Sequence, residues 1–169
     1  DGAVLVAPAV WGRNYLGPFK RGALWISAHT VPWLRLSPRG LDITPSDNIE
    51  MLRKLSKDPL IIKETRVDTI WGLVNLMDAA NAAAEKIETP VLYLYGTRDE
   101  IIPSEPTRAA ARTLTRRATA RAAFYADGYH MLLRDLKADT VHDDIAHWLR
   151  DPNAPLPSDA EAEAKKVLA

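Results

Sequence analysis

The sequence predicts an α/β fold, parallel strands with flanking helices, and three observations carry that reading. Three short apolar runs, Ala3 to Ala9, Val91 to Tyr95 and Ala122 to Tyr125, lack the polar–apolar alternation of a half-exposed strand and read as buried parallel strands. A helix from about Glu105 to Arg117 joins the second run to the third, which makes a strand–helix–strand unit. After the third run, Val141, Ile145, Trp148 and Leu149 recur at helical spacing with Asp143 and Asp144 turned outward, as a helix packed on the sheet requires.

In chain order, residues 1–9 are a core strand, 10–85 an insertion, 86–150 the closing α/β core and 151–169 a tail. The insertion is inferred from length, because about eighty residues between the first two strands exceed what a short crossover needs. Its first half is aromatic, with Trp11, Tyr15, Phe19, Trp25 and Trp33, and its second half is helical, with Val67, Ile70, Trp71, Val74 and Met77 on one stripe. The aromatics form the insertion's own core, line an apolar substrate pocket, or do both. The last segment opens with three prolines in six residues and closes in an Ala/Glu/Lys stretch, the composition of a linker and a solvated helix or frayed end. Asp1-Gly2 runs straight into the first strand without an initiator methionine, so the natural start is expected upstream.

Composition narrows the function. Lys plus Arg equals Asp plus Glu at 22 each, so no net field draws in nucleic acid or an anionic membrane, and nucleic acid is not expected as a partner. With no cysteine there are no disulfides, thiol nucleophiles or thiolate metal sites, and no metal or cofactor is expected. No apolar stretch approaches the roughly 20 residues of a membrane-spanning helix. The compartment stays open, cytoplasmic or membrane-peripheral being favoured. Arg108, Arg112, Arg116, Arg117 and Arg121 crowd the helix before the last strand and read as a solvated face in a neutral chain.

Chemistry concentrates at two strand ends. Val91 to Tyr95 runs into Gly96-Thr97-Arg98-Asp99, which puts a carboxylate where parallel sheets hold ligands and catalytic groups. The next strand runs into Ala126-Asp127-Gly128-Tyr129-His130, so a histidine reaches the same rim. A carboxylate on one ring nitrogen fixes the tautomer and leaves the other nitrogen to take a proton from a hydroxyl, the logic of a serine triad. Asp127, before a glycine, reads as a turn former, while His29, His142 and His147 are weaker candidates.

The stretch from Thr89 to Pro103, with Tyr129-His130-Met131-Leu132, resembles serine α/β-hydrolases of the monoacylglycerol lipase and lysophospholipase type, within the serine aminopeptidase-like group. The resemblance spans about Gly2 to Leu149 and implies Asp99 as triad acid, His130 as general base, and the insertion, with Asp58-Pro59-Leu60, as the family's helical lid. It also implies a lipid or other small acyl-ester substrate, with the five aromatics as substrate-binding candidates. Gly2 to Pro8 resembles the strand after the nucleophile's helix. The Gly-x-Ser-x-Gly elbow is absent, since none of the six serines has glycine at both second neighbours. This chain alone is therefore expected to be inactive, with its nucleophile upstream of Asp1. The first strand should then expose an edge that pairs with the rest of the enzyme, or with a second copy through that strand or the lid. Rival expectations are a peptidase, dehalogenase or epoxide hydrolase of the same fold, or a non-catalytic binding module.

Overall fold

A computed structural model describes residues 1–37, 40 and 42–169. Its elements run β1 (Ala3–Val6), α1 (Pro18–Thr30), β2 (Arg35–Leu36), α2 (Ile49–Lys57), β3 (Thr65–Arg66), α3 (Val67–Ala84), β4 (Val91–Gly96), α4 (Ser104–Thr115), β5 (Ala120–Tyr125), α5 (Ala138–Arg150) and α6 (Ala160–Leu168). Short 3-10 turns lie at Arg13–Tyr15 and Leu132–Arg134.

The sheet order is β1-β4-β5, all parallel, with Ala3 opposite Val91 and Val91 opposite Ala120. β4 is the middle strand and every one of its residues is buried, which is why its sequence is a continuous apolar run. Side chains alternate between two cores. Tyr93, Tyr95, Phe124 and Leu114 fill one face; Leu92, Leu94, Leu132, Val141 and Trp148 fill the other. β1 is shorter than the predicted Ala3 to Ala9, because the chain leaves the sheet at Ala7, whose φ of 43° is left-handed and cannot continue a strand. Its outer edge is unpaired among the described residues.

The chain between β1 and β4 holds α1, α2, α3 and the antiparallel ribbon of β2 with β3. Proline opens α1 after Gly17, and the Asn48 side chain caps α2 by accepting from Met51 N at 3.1 Å. α3 turns Val67, Val74 and Met77 inward. Its root is tied to the segment after β1, where Asp78 accepts from the backbone N–H and guanidinium of Arg13 and Asn81 donates to Val10 O at 2.5 Å.

Two sequence expectations fail near the end of the chain. In α5, Val141 and Trp148 are buried as expected, but Asp144 is fully buried and Leu149 is 65% exposed. Asp144 shares the inward stripe, and burial is tolerable because its carboxylate accepts from Tyr125 Oη at 2.9 Å and from Ser158 N and Oγ. Burial, with Asp144 beside it, raises the Tyr125 phenol well above its ordinary pKa. The segment 151–169 is likewise not a free tail. Leu156, Ala160 and Ala164 are buried, and α6 packs along β5, reaching both cores. Arg121 fixes it through Glu161 and the carbonyls of Pro152 and Ala154, while Arg112 donates to Leu168 O at 2.9 Å. Two of the five arginines thus hold the chain's own end, and α6 covers the edge strand β5. No helix among the described residues is long and apolar enough to cross a membrane.

Candidate active site

The site stands at the carboxyl ends of β4 and β5, where two loops are joined backbone to backbone. Thr97 N donates to Tyr125 O and Arg98 N to Gly128 O, both at 3.0 Å, and Thr97 Oγ1 donates to Ala126 O. The approach demands glycine at 96, where a side chain would meet backbone, and leaves little room at Gly128. A Cβ on Gly96 would sit 2.4 Å from the Gly128 carbonyl, and one on Gly128 would sit 2.5 Å from the Leu132 side chain.

Asp99 and His130, the two residues singled out at these strand ends, meet. His130 Nδ1 lies 2.9 Å from Asp99 Oδ2. The other carboxylate oxygen, Oδ1, accepts from Ile101 N at 2.7 Å and Ile102 N at 2.9 Å, so the group cannot rotate without losing both bonds. The Asp99 side chain is fully buried, while that of His130 keeps 29% of its surface exposed. A carboxylate accepts, so Nδ1 is the donating ring nitrogen, and in the neutral ring Nε2 has a lone pair. The pair can accept a proton from a hydroxyl and return it to a leaving group. Burial pushes the nearby Tyr95 phenol up to about 12, so it stays a neutral donor, bonded to Ile102 O at 3.0 Å.

Around the pair, Asp127 bridges the loops by bonding Lys137 at 2.6 Å and Arg98 at 2.5 Å. The Lys137 hydrogen bond and the charges of Lys137 and Arg98 hold its carboxyl below the usual carboxylate range. It does not contact His130 in the role of triad acid, in line with its reading as a turn residue. His29 stacks on Trp25, with ring centroids 4.6 Å apart, inside the insertion.

The five aromatics do not join the pair. Trp11 is half-buried, whereas Phe19, Trp25 and Trp33 are 86%, 54% and 64% exposed and Tyr15 is also exposed. The insertion's buried apolar residues among those described are Val10, Met51, Val67, Val74, Met77 and Ala84, so none of the five rings belongs to its core. A cavity of about 520 Å³ lies between β5, α5 and α6, and a second of about 900 Å³ lies at the opposite end of β5; neither is lined by Asp99, His130 or any of the five.

One cluster escaped the sequence reading. Asp135 and Ser46 are both buried and bonded to each other, Ser46 Oγ donating to Asp135 Oδ1 at 2.6 Å. They are 89 residues apart, and no spacing rule connects them. Ser46 is thereby committed to a structural bond. Among the described residues no group of three histidines, aspartates or glutamates is placed to hold a metal ion.

Residues 1–137 match the family profile described as Hydrolase_4, serine aminopeptidase, S33. The chain is also similar to the crystal structure of monoacylglycerol lipase from Paleococcus ferrophilus, with a TM-score of 0.74 and 27% identity, covering 88% of this chain and 58% of that one. A soluble variant of monoglyceride lipase from Saccharomyces cerevisiae, solved with a substrate analogue, shares the fold at a TM-score of 0.66 and 18% identity, covering 90% of this chain and 56% of that one. The chain thus spans somewhat more than half the length of the solved enzymes it matches.

Proposed function

The chain belongs to the serine aminopeptidase S33 family of α/β-hydrolases, and on that footing we propose that it supplies the acid and base of a Ser-Asp-His triad in a carboxylic ester hydrolase. The observation that carries the reading is the 2.9 Å contact between His130 Nδ1 and Asp99 Oδ2, with the far carboxylate oxygen pinned by two backbone N–H groups. The nucleophile is a serine upstream of Asp1, in the polypeptide that carries this chain. His130 Nε2 takes the Oγ proton as Oγ attacks the acyl carbon, then gives it to the departing alcohol oxygen. Water repeats the cycle, passing a proton to Nε2 while its oxygen attacks the acyl-enzyme, and the serine is regenerated as the acid leaves. Asp99 keeps the ring in the one tautomer that can do this and steadies the imidazolium. Donors for the tetrahedral oxyanion come, like the serine, from outside this chain.

For substrate we infer an acyl glycerol or similar lipid ester, with residues 10–85 as lid. The similarity to the Paleococcus ferrophilus monoacylglycerol lipase supports this, as does the apolar surface that the insertion presents at Phe19, Trp25 and Trp33. A peptidase is the second reading, favoured by the description of the matching family.

The test is labelling of the longer enzyme with a fluorophosphonate, followed by peptide mapping and assays on a monoacylglycerol and an aminoacyl amide. The expected adduct is on an upstream serine, lost in His130→Ala, with turnover of the ester. Turnover of the amide alone would favour the peptidase, and a nucleophilic aspartate would move the chemistry to halides or epoxides.

A further inference from the structure

We propose that Asp135 is a positioning residue for His130, and that it acts by hanging the histidine's loop on residues 44–48 of the insertion. The inference rests on the reading of His130 as general base. Both oxygens of this nearly buried carboxylate are occupied. Oδ2 accepts at 2.8 Å from the backbone N–H of Tyr129, the residue just before the histidine, and Oδ1 accepts from Ser46 Oγ at 2.6 Å. On the other flank, Met131 N donates to Pro45 O at 3.0 Å. The backbone N–H groups of the two residues flanking His130 are therefore held through the same five-residue stretch, Met131 directly and Tyr129 through Asp135.

The stretch is anchored beyond these two bonds. Asn48 Nδ2 donates to Arg134 O at 3.0 Å, and Leu136 N donates to Asp47 Oδ1 at 2.8 Å. Thr44 N donates to Glu100 Oε2 at 2.6 Å, next to the acid. The insertion thus touches both the acid loop and the histidine loop. Ser46 accepts from Asn48 N at 3.2 Å while donating to Asp135, so its hydroxyl has a fixed direction. A buried carboxylate is costly unless its lone pairs are met, and here they are met by groups whose placement decides where His130 stands. An asparagine would set an NH2 against one of two donors and break one arm. A displacement of about 1 Å in a catalytic group lowers turnover on the order of 100-fold.

The test uses the whole enzyme with p-nitrophenyl butyrate. Ser46→Ala and Asp135→Asn are expected to lower kcat by about 10- to 100-fold with KM within about two-fold. In both, the downfield proton resonance of His130 Nδ1 should broaden or move upfield, a readout that loss of packing elsewhere leaves unchanged. If Asp135→Asn fails to fold, Ser46→Ala carries the test, since it removes one arm and leaves the carboxylate. Wild-type kcat and an unmoved resonance in Ser46→Ala, with His130→Ala inactive, would overturn the inference and leave the general-base reading standing. Retained activity in His130→Ala would overturn both.

Discussion

At the ends of β4 and β5, backbone meets backbone: two glycines face each other, and Asp99 spends one carboxylate oxygen on two N–H groups and the other on His130. The insertion between β1 and β4 is built to another tolerance. Phe19, Leu60 and Ile62 stand more than 80% exposed, and Gly22 and Gly72 sit in helices with nothing near enough to meet an added methyl. The sheet fixes the Asp99 carboxylate against His130, while the insertion presents exposed apolar surface. At residues 44–48 the insertion is hydrogen-bonded to the loops that carry Asp99 and His130.

The largest effect should come from the rim. His130→Ala in the whole enzyme, or Asp99→Asn, is expected to cut kcat on an acyl ester by about 10⁴-fold, measured at saturating substrate, without lowering the unfolding midpoint below the assay temperature. Ala substitution of all five insertion aromatics should leave kcat on a short soluble ester within about ten-fold, which separates positioning of the catalytic pair from contact with an apolar substrate.

Packing gives the next contrast. Phe124→Ala, in the core under the rim, should cost about 3–5 kcal/mol in urea unfolding, whereas Phe19→Ala should stay within about 0.5 kcal/mol. The glycines sharpen the same point. Gly96→Ala forces a Cβ into the Gly128 carbonyl and should destabilise by about 3 kcal/mol. Gly72→Ala, in an exposed helical position, should stabilise by up to about 1 kcal/mol through helix propensity. Equal responses at the two sites would erase the distinction between the regions.

The smallest effect belongs to Asp127. Its carboxyl is held below the usual range by Lys137 and Arg98, so whatever stability it adds is present above the ordinary carboxylate pKa of about 4 and lost as pH falls through the lowered value. The gap in unfolding midpoint between wild type and Asp127→Asn, followed from neutral pH downward, should therefore close below about pH 4. Being exposed, it should also shrink with added salt.

What the sequence revealed followed from periodicity and from the habits of parallel sheets. β4 was legible because a central strand is apolar on both faces, and Asp99 and His130 because each follows a strand at the same rim. Asp144 was misread because aspartate was assigned outward on type, although its position shares a stripe with Val141 and Trp148. The fold buries it by supplying Tyr125 and Ser158. The last segment looked like a linker because prolines dominate its start, yet Leu156, Ala160 and Ala164 are spaced to cover β5. Asp135 and Ser46 left no trace, since their bond joins loops whose neighbourhood exists only after folding.

The central claim is that this chain holds an acid and a base but no nucleophile. Intact mass spectrometry of the purified 169-residue chain, before and after a fluorophosphonate, tests it most directly. One unmodified species at 18.7 kDa in both spectra is the predicted result. An adduct on any of its six serines would contradict the account.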